Sequence, residues 1–313
     1  MPEITEPNAP TPPTGYAVAD TKANGGTLVL DQVRNFSLVA QYGQQVQLAE
    51  GGTDFTTFDM SGITGSFVAE GARKPVQNGT QDKMTMLKRK WAVILPFTNE
   101  AVRENKNGIV TEARRAAAGA LARAIDDLAF TGAGIQSQEN YIDATSKEVV
   151  LGTATPENGG LFADLNDSLA QLVADRKKLT GFVLDDVVEP QLNGAVDKNG
   201  RPLWIESPLT IDQNAVTRQG RLLGRPAYQV ADVEHDGIVG YAGDFRSIRW
   251  GTLSALREDV DTRSTVELPD GNGGYQMVSA YQYNLTLFRF EAEVGVLVPD
   301  PEAFVKLLSS DAS

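Results

Sequence analysis

Cysteine is absent from the 313 residues, and histidine occurs once, at His235. The first absence excludes disulfides and thiolate metal sites, and it suits a reducing compartment. The second leaves one residue to carry any nucleophile relay, zinc site or proton shuttle that needs histidine. His235 lies in Glu234-His235-Asp236-Gly237, where the Asp-Gly pair predicts a surface turn. No apolar run is long enough to cross a bilayer. The start, MPEITEPNAPTPP, is acidic and proline-rich where a secretory signal is basic and then apolar. The chain is therefore expected to stay where it is made, with no membrane partner. A phosphate-binding glycine loop and a dinucleotide fingerprint are both missing. An enzyme is not expected, and neither a cofactor nor a metal is implied.

Cations are scarce as well. Lys and Arg number 28 against 41 Asp and Glu, a net charge of −13. Phosphate contacts need clustered cations, so such a chain is a poor general binder of nucleic acid. The acids themselves occur as the doublets Asp126-Asp127, Asp185-Asp186 and Glu258-Asp259. Adjacent side chains point about 100° apart on a helix and to opposite faces of a strand, so a doublet does not converge on one substrate atom. These acids read as solvated surface or helix-end charge. Asp259-Val260-Asp261 alternates like a strand, and both carboxylates on one side would make a weak cation site or simply a charged edge.

What is present is a soluble, globular composition, 41% hydrophobic and 22% charged, long enough for one large domain or two intimate ones. No internal repeat is visible. Residues 1–26 hold five prolines and three glycines ahead of the first apolar cluster at Leu28 and read either as a disordered tail or as an arm ordered by neighbours. A short helix is expected near residues 30–40, then strands up to Met60. From Ile109 to Gly132 the residues Val110, Ala113, Ala117, Ala120, Leu121, Ala124 and Leu128 recur at helical steps, with Gly132 as the stop. Twenty-two residues make a helix of roughly 33 Å at about 1.5 Å each. A second helix over 161–178 places Leu161, Leu165, Leu169 and Leu172 on one side. Arg176, Lys177 and Lys178 then occupy its last turn, where cations suit the dipole, and Gly181 ends it before the buried strand Phe182-Val183-Leu184.

A short helix at 187–195 and a turn-rich Asp197–Trp204 come next, followed by strands at 226–231, 237–242, 247–251 and 255–260 and a loop from Pro269 to Gly274. Near the end, Phe288, Phe290, Ala292, Val294 and Val296 fall on one face of a long strand and Arg289, Glu291 and Glu293 on the other.

The segment from Ser66 to Leu95 has strand-like ends around a middle rich in Gly, Pro and Asn, and reads as a two-stranded arm with nothing of its own to bury. Glu70, Arg73 and Lys74 stand near its tip, with Lys88, Arg89 and Lys90 on its return beside Trp91. In an acidic chain, cations on one projecting element favour docking onto an acidic neighbour. Their other use is to keep an exposed strand edge soluble.

An arm followed by a long helix resembles the major capsid proteins of tailed bacteriophages, the Hong Kong 97 fold. The resemblance continues through Leu161–Lys178, Gly224-Arg225-Pro226, Gly243-Asp244-Phe245, Arg289-Phe290-Glu291 and Pro301-Glu302-Ala303-Phe304, so it spans most of residues 30–308. It implies an α+β fold with an N-terminal arm over 1–40 and an extended two-stranded E-loop over 63–96. A peripheral domain would take 41–62 and 97–134 with the spine helix, and an axial domain 135–295, with 296–313 returning to the periphery. It also implies a structural subunit that forms pentamers and hexamers, closing into an icosahedral head around double-stranded DNA without reading its sequence. A portal, a separate scaffolding protein or none, and a decoration protein are the implied partners, with assembly in the host bacterial cytoplasm and residence in the virion. The interface would run through Phe67, Glu70, Arg73, Lys74, Lys88, Arg89, Lys90 and Trp91. Some members cross-link subunits through an E-loop lysine, an asparagine and an assisting glutamate, positions that fall here on Lys74, Asn284 and Glu291. The rival readings are an encapsulin-like compartment with protein cargo, a carboxylate-based hydrolase and a secreted adhesin or decoration protein.

Overall fold

A computed structural model describes residues 33, 36–59, 67–68, 70, 73–74, 76, 80–104, 108–132, 140–155, 159–195, 202, 204–206, 218–230, 233, 235–269, 271 and 273–310. Its first element is the short helix α1 (Leu38–Tyr42), capped by Ser37. Strand β1 (Gln44–Gln45) follows, and then the hairpin of β2 (Thr53–Asp59) and β3 (Thr80–Met86). Strand β4 (Arg89–Thr98) leads through α2 (Asn99–Glu104) into the long helix α3 (Ile109–Phe130).

Helix α3 stops where a glycine was expected to stop it. Gly132 lies just beyond the helix with φ 65°, a left-handed conformation that L side chains avoid. The buried stripe is Ala113, Ala117, Ala118, Leu121, Ala122, Ile125 and Leu128, so Ala120 and Ala124 fall outside the face expected of them. The small side chains let the helix lie close on a four-stranded sheet ordered β1, β11 (Arg249–Asp261), β14 (Leu285–Leu297) and β4. Phe288, Phe290, Ala292, Val294 and Val296 of β14 are buried beneath it, and Trp91, Val93, Leu95 and Phe97 of β4 pack on the same core. The alternation in β14 is thus the expected one. Strand β11 runs unbroken across both strands expected within it, because irregular register near Ser254 interrupts its pairing without ending it.

The second sheet has seven strands: β5 (Glu148–Leu151), β15 (Phe304–Ser309), β10 (Ile238–Gly243), β6 (Gly181–Asp185), β9 (Arg225–Val230), β8 (Arg218–Leu222) and β7 (Ile205–Glu206), in that order. The central strands β6 and β10 are buried throughout, which explains their continuous apolar runs. A Cβ on Gly240 would come within 2.5 Å of the Val183 carbonyl, so that strand pair needs a glycine there. Helix α4 (Leu161–Ala174) covers one face through Leu165 and Leu172, and α5 (Glu189–Gly194) contributes Leu192. On the other face Val183, Tyr241 and Phe304 join the core of α3, so the two sheets share one apolar interior. A small hairpin, β12 (Thr265–Pro269) with β13 (Tyr275–Ser279), completes the described elements.

Three expectations differ. Helix α4 ends at Ala174, before its cations: the amide of Arg176 bonds the Val173 carbonyl, and that of Lys177 bonds the Leu172 carbonyl. This is a Schellman closure with Arg176 at φ 59°, so Gly181 has no part in ending the helix. The return of the arm does not extend to Leu95, because Arg89–Val294 through Thr98–Leu285 pair β4 with β14 in the body of the molecule. Finally, β11 and β14 leave the segment 135–295 for the sheet under α3, whereas β15, within 296–313, joins the seven-stranded sheet. The expected breaks followed chain order, and pairing across the chain overrides it.

Candidate assembly surfaces

The β2–β3 hairpin pairs Thr53 with Met86 through to Asp59 with Thr80. Met86 at its base is fully buried with Leu48 and Leu297, and Phe55 and Met84 pack on that small cluster. The Arg249 guanidinium stacks 4.3 Å from the Phe55 ring centre. Above the base the links are weaker: Lys83 meets Asp54 at 2.7 Å, with both side chains exposed. Past the paired strands, the Phe67 ring is wholly exposed, Val76 is largely so, and Val68, Glu70, Arg73 and Lys74 are also on the exposed surface. Leaving a phenylalanine in water forgoes about 2 kcal/mol of burial.

Lys88, Arg89, Lys90 and Trp91 are placed elsewhere. Arg89, Lys90 and Trp91 lie on β4, and Trp91 packs into the core of α3. Lys88 meets Glu293 at 3.3 Å and Lys90 meets Glu291 at 3.1 Å, and Arg289 extends the ladder to Asp259. Two of the cations expected to dock a neighbour thus lie against acids of their own sheet.

Lys74, Asn284 and Glu291 do not meet within one chain. Asn284 occupies a turn at φ 53°, where its carbonyl accepts from the Asn99 amide at 2.8 Å. Glu291 lies seven positions further along β14, roughly 23 Å at about 3.3 Å per residue. Only separate copies of the chain can bring the three groups together.

The acid doublets hold structure. Asp126 accepts from Ser37 and from the first amides of α1, against the expectation of a solvated charge. Asp185 is buried and accepts from the Val187 and Val233 amides, both at 2.9 Å. Glu258 takes a two-pronged bond from Arg114, at 2.7 and 3.1 Å. Asp261 accepts from the amides of Arg263 and Ser264, so Asp259 and Asp261 serve separate partners. Among the described residues no group of three or more His, Asp or Glu is placed to hold a metal ion.

His235 lies in its expected turn, with Asp236 and Gly237 both at positive φ, but its ring points inward. Nε2 is 2.6 Å from Asp143 and Nδ1 is 2.9 Å from the Val233 carbonyl. The buried Tyr241 hydroxyl donates to the other Asp143 oxygen at 2.7 Å. Burial of the ring opposes its charge, but the bonds to Asp143 and Val233 outweigh it and raise the pKa. With acceptors at both ring nitrogens, the imidazolium is the form that satisfies the site. The trio ties the chain just past α3 to the start of β10. Sequence reasoning also missed the exposed aromatics Tyr275, Tyr281 and Tyr283 on and after β13. Their signal was the alternation of Tyr275 and Met277 in a strand too short to build a core.

The model of the phage capsid family matches residues 20–308. This chain belongs to the phage capsid family. A probable major capsid protein, gp17 of Mycobacterium phage L5, is 35% identical over 289 residues, which is 90% of this chain and 87% of that protein. Among solved structures, a chain of Microbacterium phage Oxtober96 has TM-score 0.68 at 15% identity, covering 88% of this chain and 91% of its own. One from Gordonia phage Cozz gives 0.64 at 21% identity, covering 88% and 86%. The α+β architecture is therefore the Hong Kong 97 fold, with α3 as the spine helix and the β2–β3 hairpin in the place of the E-loop.

Proposed function

We propose that this chain is the major capsid subunit of a tailed bacteriophage, assembling as pentamers and hexamers into an icosahedral shell around double-stranded DNA. The observation that carries the reading is the β2–β3 arm, anchored at Met86 and presenting a wholly exposed Phe67 with Val68 and Val76 beyond its paired strands. Each arm would lay apolar surface and strand edge on the next subunit, and many modest contacts of this kind add up around a closed shell. Phe67, Glu70, Arg73 and Lys74 are the contact residues of this proposal. Lys88, Arg89, Lys90 and Trp91 support the arm from the body. The net charge of −13 suits a wall that does not hold its genome. Assembly in the bacterial cytoplasm, with a portal and a separate scaffolding protein, belongs to the same reading.

The test replaces residues 60–79 with a short glycine-serine turn, keeping β2 paired with β3. The expected variant unfolds as cooperatively as the parent chain yet forms no shells by light scattering and electron microscopy, alone or with a scaffold. Shells of normal size from it would overturn the proposal.

A further inference from the structure

A groove runs along the outer side of α3 from Glu112 to Thr131. At about 1.5 Å per residue that is roughly 28 Å. Its floor is low because Ala116, Gly119 and Ala120 stand where the solvent side of a helix usually carries long polar side chains. A Cβ added at Gly119 would meet nothing within 4 Å. Phe36, Val230 and Val233 add apolar surface to the lining. Arg115 and Arg123 line it as well, roughly 12 Å apart along the helix, and the Arg115 guanidinium is 6.0 Å from the Phe36 ring centre. Of the acids in the lining, Asp126 is spent on Ser37 and the first amides of α1, and Glu112 and Asp127 lie toward the two ends.

A segment that fits this groove stands at the start of the sequence, outside the described residues. In a polyproline II helix three residues make a turn, so positions three apart share a face. Ile4, Pro7, Pro10 and Pro13 share one face, Glu3 and Glu6 open the second, and Thr5, Asn8 and Thr11 fall on the third. The pattern is an apolar ridge with an acidic shoulder and a polar back. From Ile4 to Pro13, at about 3.1 Å per residue, the ridge is roughly 28 Å long, the length of the groove. Glu3 and Glu6 stand roughly 9 Å apart, within reach of two arginines on long side chains. Residues 1–21 hold no Lys or Arg to oppose that pairing.

We propose that residues 3–13 dock as a polyproline II helix in the α3 groove of their own chain. The ridge from Ile4 to Pro13 lies on Ala116, Gly119 and Ala120, and the two glutamates meet Arg115 and Arg123. Proline fixes its own φ, so ordering this segment costs less entropy than ordering most others. Residues 14–35 tie it to Phe36, beside the groove, which keeps its local concentration on the order of millimolar. A contact too weak to hold a free peptide therefore holds this one. Docking fastens the N-terminal arm along the spine helix. It does not depend on the shell reading, since it is a property of each subunit.

The test places the photo-reactive residue benzoylphenylalanine at Ala9 of the full-length chain, on the face that carries the glutamates. Its adducts are then located by mass spectrometry. They are expected on residues 112–131, in a product that runs near 33.7 kDa, and the same probe at Asn8 on the polar back should give several-fold fewer. Ala120 is exposed, so Ala120→Trp fills the groove floor without entering the core, and it should lower the yield about tenfold. Glu3→Lys with Glu6→Lys should lower it by a similar factor, and adding Arg115→Glu with Arg123→Glu should restore it. The lysine pair leaves the body of the molecule untouched, which keeps the test decisive if the tryptophan disturbs α3. Adducts chiefly on other elements, a product of twice the mass, or a yield that ignores the lysine pair would overturn the proposal.

Discussion

At the scale of single residues, His235 is a built-in reporter, being the one histidine of the chain. Its pKa is raised because Asp143 and the Val233 carbonyl hold both ring nitrogens, outweighing burial. The stability it contributes is complete below its unfolded value near 6.5 and is lost as pH rises through the folded value. Its single imidazole resonance, followed by NMR, should therefore titrate above 6.5 in the parent chain and at a lower pH in Asp143→Asn. A midpoint that ignores the Asp143 substitution would show that the contact carries no charge. The turn around His235 was legible from Asp236-Gly237, but its inward ring was not. Asp143 lies 92 positions away, and nothing local in either segment announces the other.

At the scale of elements, periodicity located the helices and most strands, and chemistry at the ends proved less readable. The spine helix was legible because its small-residue stripe and Gly132 agree. Helix α4 was read too long because Lys and Arg favour helix ends, while the turn that ends it places arginine where glycine is usual. Arg176 is exposed and left-handed, so Arg176→Gly relieves about 1 kcal/mol of backbone strain, partly offset by the freer unfolded glycine. A net gain of about 0.5 kcal/mol is expected, read as a higher denaturant midpoint at unchanged slope. The arm was recognised as an element but misjudged in extent. Alternation in β4 continues the pattern of β3, and only the register with β14 reveals that β4 has left the hairpin for the sheet.

At the scale of the molecule, covalent joining of subunits is a separate matter from assembly. Asn284 and Glu291 stand a strand-length apart, so a cross-link would need Lys74, Asn284 and Glu291 from separate copies, with Glu291 turned from the Lys90 it meets at 3.1 Å. Particles boiled in detergent and reductant are expected to run as one band near 33.7 kDa, and a ladder of multiples would show cross-linking. By itself the sequence determined composition-level facts and local ones: no disulfide, an acidic surface, the spine helix, the alternation of β14 and a segment with nothing of its own to bury. Those depend on residue type and short spacing, which a chain displays openly. The tertiary structure alone decided that β15 joins the seven-stranded sheet, that Lys88 and Lys90 face acids of their own sheet, and that Asp126 caps a helix from across the core. Each of these rests on contacts between residues tens to hundreds of positions apart, and such contacts exist only once packing has chosen which faces meet.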